Sequence, residues 1–202
     1  MFTGIIRHMG RVEDVRASNI EEGRSALTII VDIKDLDAKA GDSIAVNGVC
    51  LTVVERDGSR FKFNLIGETV RRSSLGSLRI GDRVNIEPSL RVGDSIDGHF
   101  VLGHVDCMGM IVDKVEERDQ VRMSIRVEDR ELMRYIVEKG SIAVDGVSLT
   151  VVSTHNDVFT VALIPHTLNM TTLGLKDKND KVNIEVDVLA RYVDRYTNIL
   201  VT

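Results

Sequence analysis

The chain has 202 residues, enough for one large domain or two small ones, and its 43 % hydrophobic and 28 % charged residues are those of a folded globular protein. A net charge of −5 argues against a nucleic-acid binder, which would carry a basic face. No apolar run reaches membrane-span length, and MFTGIIRHMGRVEDV lacks the basic start and long apolar core of a secretory signal, so a cytoplasmic protein with no membrane partner is expected.

Aromatic residues are scarce and tryptophan is absent, so apolar volume comes from Val, Ile and Leu, and the β-branched pair favours strands. In chain order, strands are expected at Ala26–Ile33, Ser43–Val46, Leu51–Glu55, Arg60–Ile66 and Arg83–Pro88. The turn signals AGD (Ala40–Asp42), NG (Asn47-Gly48), RDGS (Arg56–Ser59) and IGD (Ile80–Asp82) separate them. Helical turns are expected at Val70–Leu75 and at Arg130–Glu138, where RELMRYIVE spaces its apolar residues by three and four. Five or six antiparallel strands in so short a stretch suggest a small closed barrel, since closure removes exposed edges.

Between the halves, GHFVLGHVD carries His99 and His104 five apart, on opposite faces if the segment is a strand. That spacing is poor for a shared metal, no third ligand lies near, and no metal site is expected. Cys50 and Cys107 form no CxxC motif; they could pair, but reduced thiols are expected. At the end, DVLARYVDRYTNIL puts Leu189, Tyr192, Val193, Tyr196 and Leu200 on one helical face, with Asp187 as N-cap. A partner subunit is expected to bury that face; the competing reading is a helix that packs back on its own domain.

The two halves are copies of each other. SIAVNGVCLTVV (Ser43–Val54) recurs as SIAVDGVSLTVV (Ser141–Val152), 98 residues later, changing only Asn47 to Asp145 and Cys50 to Ser148. Glu68–Glu87 aligns with His166–Glu185 at the same offset, including the closing VNIE, and Gly4-Ile5-Ile6 aligns with Gly103-His104-Val105 at an offset of 99. A period this long exceeds that of solenoids and indicates two whole domains. Cys50 with Thr52, and Ser148 with Thr150, each lie two apart and so share a strand face. Either these faces form two equivalent polar pockets or they simply meet water. His104 in place of Ile5 has no obvious folding motive, whereas Asn47 and Asp145 can both serve as turn residues. There is no phosphate loop, nucleophile elbow or triad signature.

Taken together, MFTGI, NGVCLTV, GHFVLGHVD, DGVSLTV, IPHTLNMTTLG and VDVLARYVDR resemble the riboflavin synthase α-chain family, nearly end to end. The resemblance implies an all-β fold of two tandem six-stranded Greek-key barrels (1–97 and 98–186) and a C-terminal helix (187–202) that joins three subunits. The implied reaction is a dismutation of two 6,7-dimethyl-8-ribityllumazine molecules. One donates a four-carbon unit and leaves as 5-amino-6-(ribitylamino)uracil; the other becomes riboflavin, in the last step of riboflavin biosynthesis. No cofactor or metal is implied. The active site would lie between the first barrel of one subunit and the second barrel of its neighbour, and lumazine synthase is a further partner that the family admits.

The family's binding residues fall on Phe2, Thr3, Gly4, Ile5 and Ile6, then on Asn47, Cys50, Leu51 and Thr52, and on Asn64, Leu65, Ile66, Gly67, Glu68 and Thr69. They continue at Gly103, His104, Val105 and Lys139, at Ser148, Leu149 and Thr150, and at Leu163, Ile164, Pro165, His166 and Thr167. The chemistry must take a proton from the C7 methyl of one lumazine and activate C6 of the other. His104 is the candidate for proton transfer, because an imidazole titrates near working pH. Ser148 and Thr150 could bind the ring or activate water, Asp145 could orient one of these groups, and Cys50 could play the matching part in the other pocket. Asp97-Gly98-His99 stands where relatives commonly have Gly-Gly-His, which adds a Cβ and a charge near a turn. The rival readings are a non-catalytic lumazine-carrying optical protein and a barrel interaction module with no small ligand.

Overall fold

In the computed structural model, residues 1–17 and 26–200 are described, with the side chains of 198–200 outside that description. Alternation of apolar and polar residues dictates the first barrel. Strands β1 (His8–Ala17), β2 (Leu27–Asp32), β3 (Ser43–Val46), β4 (Val49–Asp57), β5 (Arg60–Leu65) and β6 (Arg83–Pro88) close in the order β1-β2-β5-β4-β3-β6. The pairing of β2 with β5 and of β3 with β6 skips sequence neighbours, which makes the connection a Greek key. On β4 the side chains of Val49, Leu51 and Val53 point inward, and Phe61, Phe63 and Leu65 of β5 meet them there. Cys50 and Thr52 therefore face outward.

The second barrel repeats this plan with β7 (Cys107–Glu116), β8 (Val121–Val127), β9 (Ser141–Val144), β10 (Val147–His155), β11 (Val158–Leu163) and β12 (Lys181–Val186). Even the irregularities recur. Register shifts at Val12/Asp14 and Val53/Glu55 return at Ile111/Asp113 and Val151/Ser153, bending equivalent strands as barrel closure requires. A short helix follows the fifth strand of each copy: α1 (Gly67–Arg72) and α2 (Pro165–Met170), each leading into a 3-10 turn. The helical turn expected at Val70–Leu75 is thus the end of one and the start of the other. The turn expected at Arg130–Glu138 is a 3-10 helix over Arg130–Tyr135, started by the Asp129 carboxylate accepting from Glu131 N at 3.0 Å.

The two NG/DG hairpins explain how the barrels join. Asn47 and Gly48 have φ of 46° and 77°, and Asp145 and Gly146 have 46° and 78°, the left-handed pairs of a type I′ turn. Their tips meet nose to nose. A Cβ on Gly48 would lie 2.6 Å from Gly146 N, so only glycine allows the approach.

GHFVLGHVD is not a strand, so the opposite-face geometry of His99 and His104 does not apply; Val101 makes an isolated bridge to Phe2 and the rest is irregular. Helix α3 (Val188–Leu200) begins as expected, with Asp187 Oδ1 accepting from Leu189 N at 2.9 Å. It is tied to the second barrel by Arg191–Asp106 and by Asp194 with Arg134 at 2.5 Å. Its apolar face is nevertheless open: Leu189, Tyr192, Val193 and Tyr196 are 54–63 % exposed. Leu200, the last residue of that expected stripe, lies outside the described side chains. Among the described residues no helix is long and apolar enough to cross a membrane.

Candidate functional site

Two irregular segments cross between the barrels and build the site. Phe2 and Val101 exchange backbone hydrogen bonds of 2.7 and 3.1 Å, pairing the start of the chain with the interbarrel segment. Each segment then lies over the outward polar face of a barrel. Gly4 O accepts from Ser148 N at 2.8 Å, and Gly103 O accepts from Cys50 N at 2.9 Å. Ile6 packs on the core of the second barrel and Val105 on that of the first. Both glycines have φ near +80°, and a Cβ on either would sit 2.6 Å from the Cβ of Ser148 or Cys50. Neither position can carry a side chain without displacing the strand beneath.

Buried carboxylates hold these segments from the opposite side. Glu87, on β6, accepts from Thr3 N at 2.7 Å, Thr3 Oγ1 at 2.9 Å and Gly4 N at 3.0 Å. Glu185, on β12, accepts from Leu102 N at 2.6 Å and from Gly103 N and His104 N at 2.9 Å. Each barrel's last strand therefore anchors the segment that covers the other barrel. Burial raises the Glu87 carboxyl above its usual range against the pull of its N–H donors, and raises Glu185 to about 7.

On the first barrel the result is a cavity of about 180 Å³. It brings together Cys50, Glu68, Thr69, Gly103, His104 and Val105 of the expected residues, joined by Val49, Arg72 and Ser73. Glu68 is ion-paired with Arg71 at 2.6 Å and with Arg72, which holds its carboxyl below the usual range. Thr52 and Asn64 are exposed on the outer faces of β4 and β5, where Asn64 Oδ1 accepts from Thr28 Oγ1 at 2.9 Å. Ile66 and Gly67 lead into α1, with Ile66 exposed. On the second barrel, Ser148 is half-buried and Thr150 exposed on β10, while Ile164, Pro165, His166 and Thr167 lead into α2 with Ile164, Pro165 and His166 exposed. Ile5 and Lys139 are also exposed.

Other expected residues sit elsewhere. The side chains of Leu51, Leu65, Leu149 and Leu163 point into the barrel interiors, because strand alternation leaves them no other face. What they offer a ligand is main chain. Phe2 is fully buried between the barrels with Ala45, Val101 and Ala143, and Cys50 packs against this group. Asn47 and Asp145 belong to the barrel junction. Asn47 Oδ1 accepts from Asn85 N, and Asp145 Oδ1 from Asn183 N, both at 2.7 Å. Asn85 then donates to Asp145 O at 2.9 Å, and Asn183 to Asn47 O at 2.7 Å, a reciprocal lock across the pseudo-twofold axis. Asp145 is fully buried, 3.5 Å from Lys176 Nζ, and burial raises its carboxyl despite that lysine. Its side chain is committed to the junction and orients neither Ser148 nor Thr150 by any hydrogen bond among the described residues.

Two features escaped the sequence reading. His99 Nδ1 lies 2.7 Å from Ser148 Oγ, its backbone N–H donates to Thr3 O at 3.1 Å, and its Nε2 is buried with no hydrogen-bond partner among the described residues. Burial holds this imidazole below its usual value against the pull of the Asp187 carboxylate. The sequence marks His99 only as a poor metal ligand beside His104, and it lies outside the aligned repeat, so no counterpart signals its tie to Ser148. The carboxylates Glu87 and Glu185 and the amides Asn85 and Asn183 left a clearer signal, the VNIE that closes both copies. In β6 and β12 both faces are buried, so these polar residues have to be fully partnered. Asp97 is exposed and outside the left-handed region, so its Cβ is accommodated; it is Gly98 that has no room, with Thr3 O 2.0 Å from any added Cβ.

The lumazine binding domain family matches residues 3–89 and again 102–187. The riboflavin synthase of Mycobacterium tuberculosis (strain ATCC 25618 / H37Rv) is 46 % identical over 202 residues, covering 96 % of this chain and 97 % of that protein. That of Brucella abortus (strain 2308) is 43 % identical over 200 residues, covering 96 % and 97 %. Among solved structures, LumP complexed with riboflavin superposes with a TM-score of 0.81 at 21 % identity, over 92 % of this chain and 99 % of that one. LumP complexed with 6,7-dimethyl-8-(1'-D-ribityl) lumazine gives 0.78 at 21 % identity, over the same shares of the two chains, and at such identity both likenesses speak for the fold alone. With two lumazine binding domains in tandem and such identity along nearly its whole length, the chain belongs to the riboflavin synthase family.

Proposed function

We propose that this chain is a riboflavin synthase acting on two molecules of 6,7-dimethyl-8-ribityllumazine. A four-carbon unit passes from one to the other, giving riboflavin and 5-amino-6-(ribitylamino)uracil. The observation that carries this reading is the pair of polar strand faces, Cys50–Thr52 and Ser148–Thr150, each covered by a glycine-bearing segment held from the other barrel. Two copies of one substrate need two similar sites, and donor and acceptor need those sites to differ. They differ where the chemistry would act: His104 beside Cys50 in one, Ile5 and His99 beside Ser148 in the other. His104 transfers protons at the substrate, and Ser148, backed by His99, binds or activates the second ring system. Holding the two rings in register supplies much of the rate, since positioning is worth up to roughly 7–11 kcal/mol in favourable systems.

The same reading assigns a cytoplasmic homotrimer in which the open face of α3 meets neighbouring subunits and each active site spans two of them. An apolar face of four residues more than half exposed supports the association, because water contact there is costly. Contact with lumazine synthase remains an expectation from the family. Incubating the purified protein with the lumazine tests the function directly. Riboflavin and the aminouracil should appear in equal amounts; fluorescence change without turnover would instead identify an optical carrier.

A further inference from the structure

We propose that Glu185 is a positioning residue for His104, gripping the backbone of Leu102–His104, and that helix α3 is coupled to this grip through Arg191 and Asp106. The inference rests on the functional reading above for the role of His104, but the grip itself can be tested without turnover.

His104 is exposed, and its position is set by its backbone. That backbone is irregular and belongs to no sheet, so it has no ladder to fix it. Apart from Gly103 O, which accepts from Cys50 N, it is held by one carboxylate receiving three consecutive N–H groups. Such charge-assisted bonds are roughly twice as strong as neutral ones, but they require the ionised form. A proton on Glu185 would put an O–H donor among N–H donors and loosen the segment. Glu87 makes the equivalent grip on Thr3 and Gly4, where the next residue is Ile5, with no titrating group to place.

The surroundings of Glu185 make its charge sensitive. Asp106 stands beside it and pushes its carboxyl up, in addition to burial. Asp106 in turn accepts from Val186 N at 2.9 Å and pairs with Arg191 of α3, while the His104 imidazole also bears on it. Cys107 feels both Asp106 and Asp129, and Asp187 stands at the start of α3. Arg191 is thus the cation that offsets Asp106, and it arrives on the helix whose apolar face is open. Undocking of α3 would leave Asp106 uncompensated and favour the proton on Glu185.

The experiment is a pH titration of backbone amide resonances in the 15N-labelled full-length protein, with steady-state kinetics alongside. In the wild type the Gly103 and His104 amides should share one step near neutrality, where burial sets Glu185 at about 7. The step should persist in His104→Gln, vanish when Glu185→Gln is added to that variant, and move to higher pH in Arg191→Gln. Glu185→Gln should lower kcat by roughly 10- to 100-fold with little change in KM, the loss expected when a reacting group is slightly misplaced. Glu87→Gln should raise KM more than it lowers kcat. If Glu185→Gln does not fold, the wild-type and Arg191→Gln titrations decide. Amides that show no step, a step that survives when Glu185→Gln is added to His104→Gln, or an unchanged kcat in Glu185→Gln would overturn the proposal. Failure of the wild type to form riboflavin would instead count against the functional reading, and the amide titration would still judge the grip.

Discussion

In the first barrel, the outward face of β4 carries Cys50 beneath Gly103, with His104 at the edge of the cavity. In the second, the same face of β10 carries Ser148 beneath Gly4, with Ile5 where the imidazole would be and His99 hydrogen-bonded to the serine. The frames agree down to their bulges and hairpin angles; the polar groups beside each face do not. Both imidazoles come from residues 99–104, a segment that touches both faces. Duplication supplied two sites of one shape, and a single connecting segment made them chemically unequal.

That comparison can be pressed from its strongest point downward. His104→Gln should lower kcat by roughly 10²–10⁴-fold with lumazine binding little changed, the usual range for lost acid–base catalysis. Single-turnover kinetics with a fluorescence titration separates the two effects. A variant that binds weakly but turns over at the normal rate would make His104 a pocket wall. Next come Gly103→Ala and Gly4→Ala, each of which forces a Cβ to within 2.6 Å of the strand it covers. Strain at positive φ costs about 1–3 kcal/mol before any clash, so both should be less stable in urea and each should lose the site it covers. Gly41→Ala, at φ 93° with nothing within 4 Å, isolates the backbone cost.

A smaller effect is expected at the matched positions on the strands. Ser148→Ala leaves His99 Nδ1 without its partner in a buried setting, costing about 1–3 kcal/mol in stability or binding. Cys50→Ser should cost less, because Cys50 is half-buried and a hydroxyl can still hydrogen-bond. Equal losses at both would erase the distinction between the faces. At the junction, Asn47→Asp would bury a carboxylate in the copy that has Leu78 at the repeat position of Lys176, the lysine beside Asp145. Burial raises such a carboxyl, as it does Asp145, so the folded state takes up a proton more readily than the unfolded chain. The variant's deficit should therefore be largest above the folded-state pKa and shrink as pH falls towards the ordinary carboxyl range. Denaturation at several pH values checks the sign.

The barrels were legible because their causes are local. Val49, Leu51 and Val53 alternate with polar residues, Asn47-Gly48 demands a tight hairpin, and the recurrence of both at Asp145-Gly146 and beyond reveals the second copy. The site was only half legible, because its walls are exchanged. Residues 103–105 complete the cavity of the first barrel although they follow the boundary expected at 97/98, and Gly4 covers the second barrel although it opens the chain. Nothing in local pattern tells which barrel an irregular segment will cover. Glu87 and Glu185 illustrate the same limit: a polar residue in an alternating strand reads as solvent-facing, and only the crossing segments make it buried. Asn47 and Asp145 show the converse: their departure from repeat symmetry marks them for chemistry, while the fold bonds both side chains into the junction.

The central claim is that each chain presents two similar but unequal lumazine sites, one per barrel. Equilibrium titration of the purified protein with riboflavin, followed by its fluorescence, tests it most directly. The account predicts two sites per chain with distinct affinities, the one covered by residue 103 lost in Gly103→Ala and the other in Gly4→Ala. A single site per chain, or two sites that both variants abolish together, would contradict it.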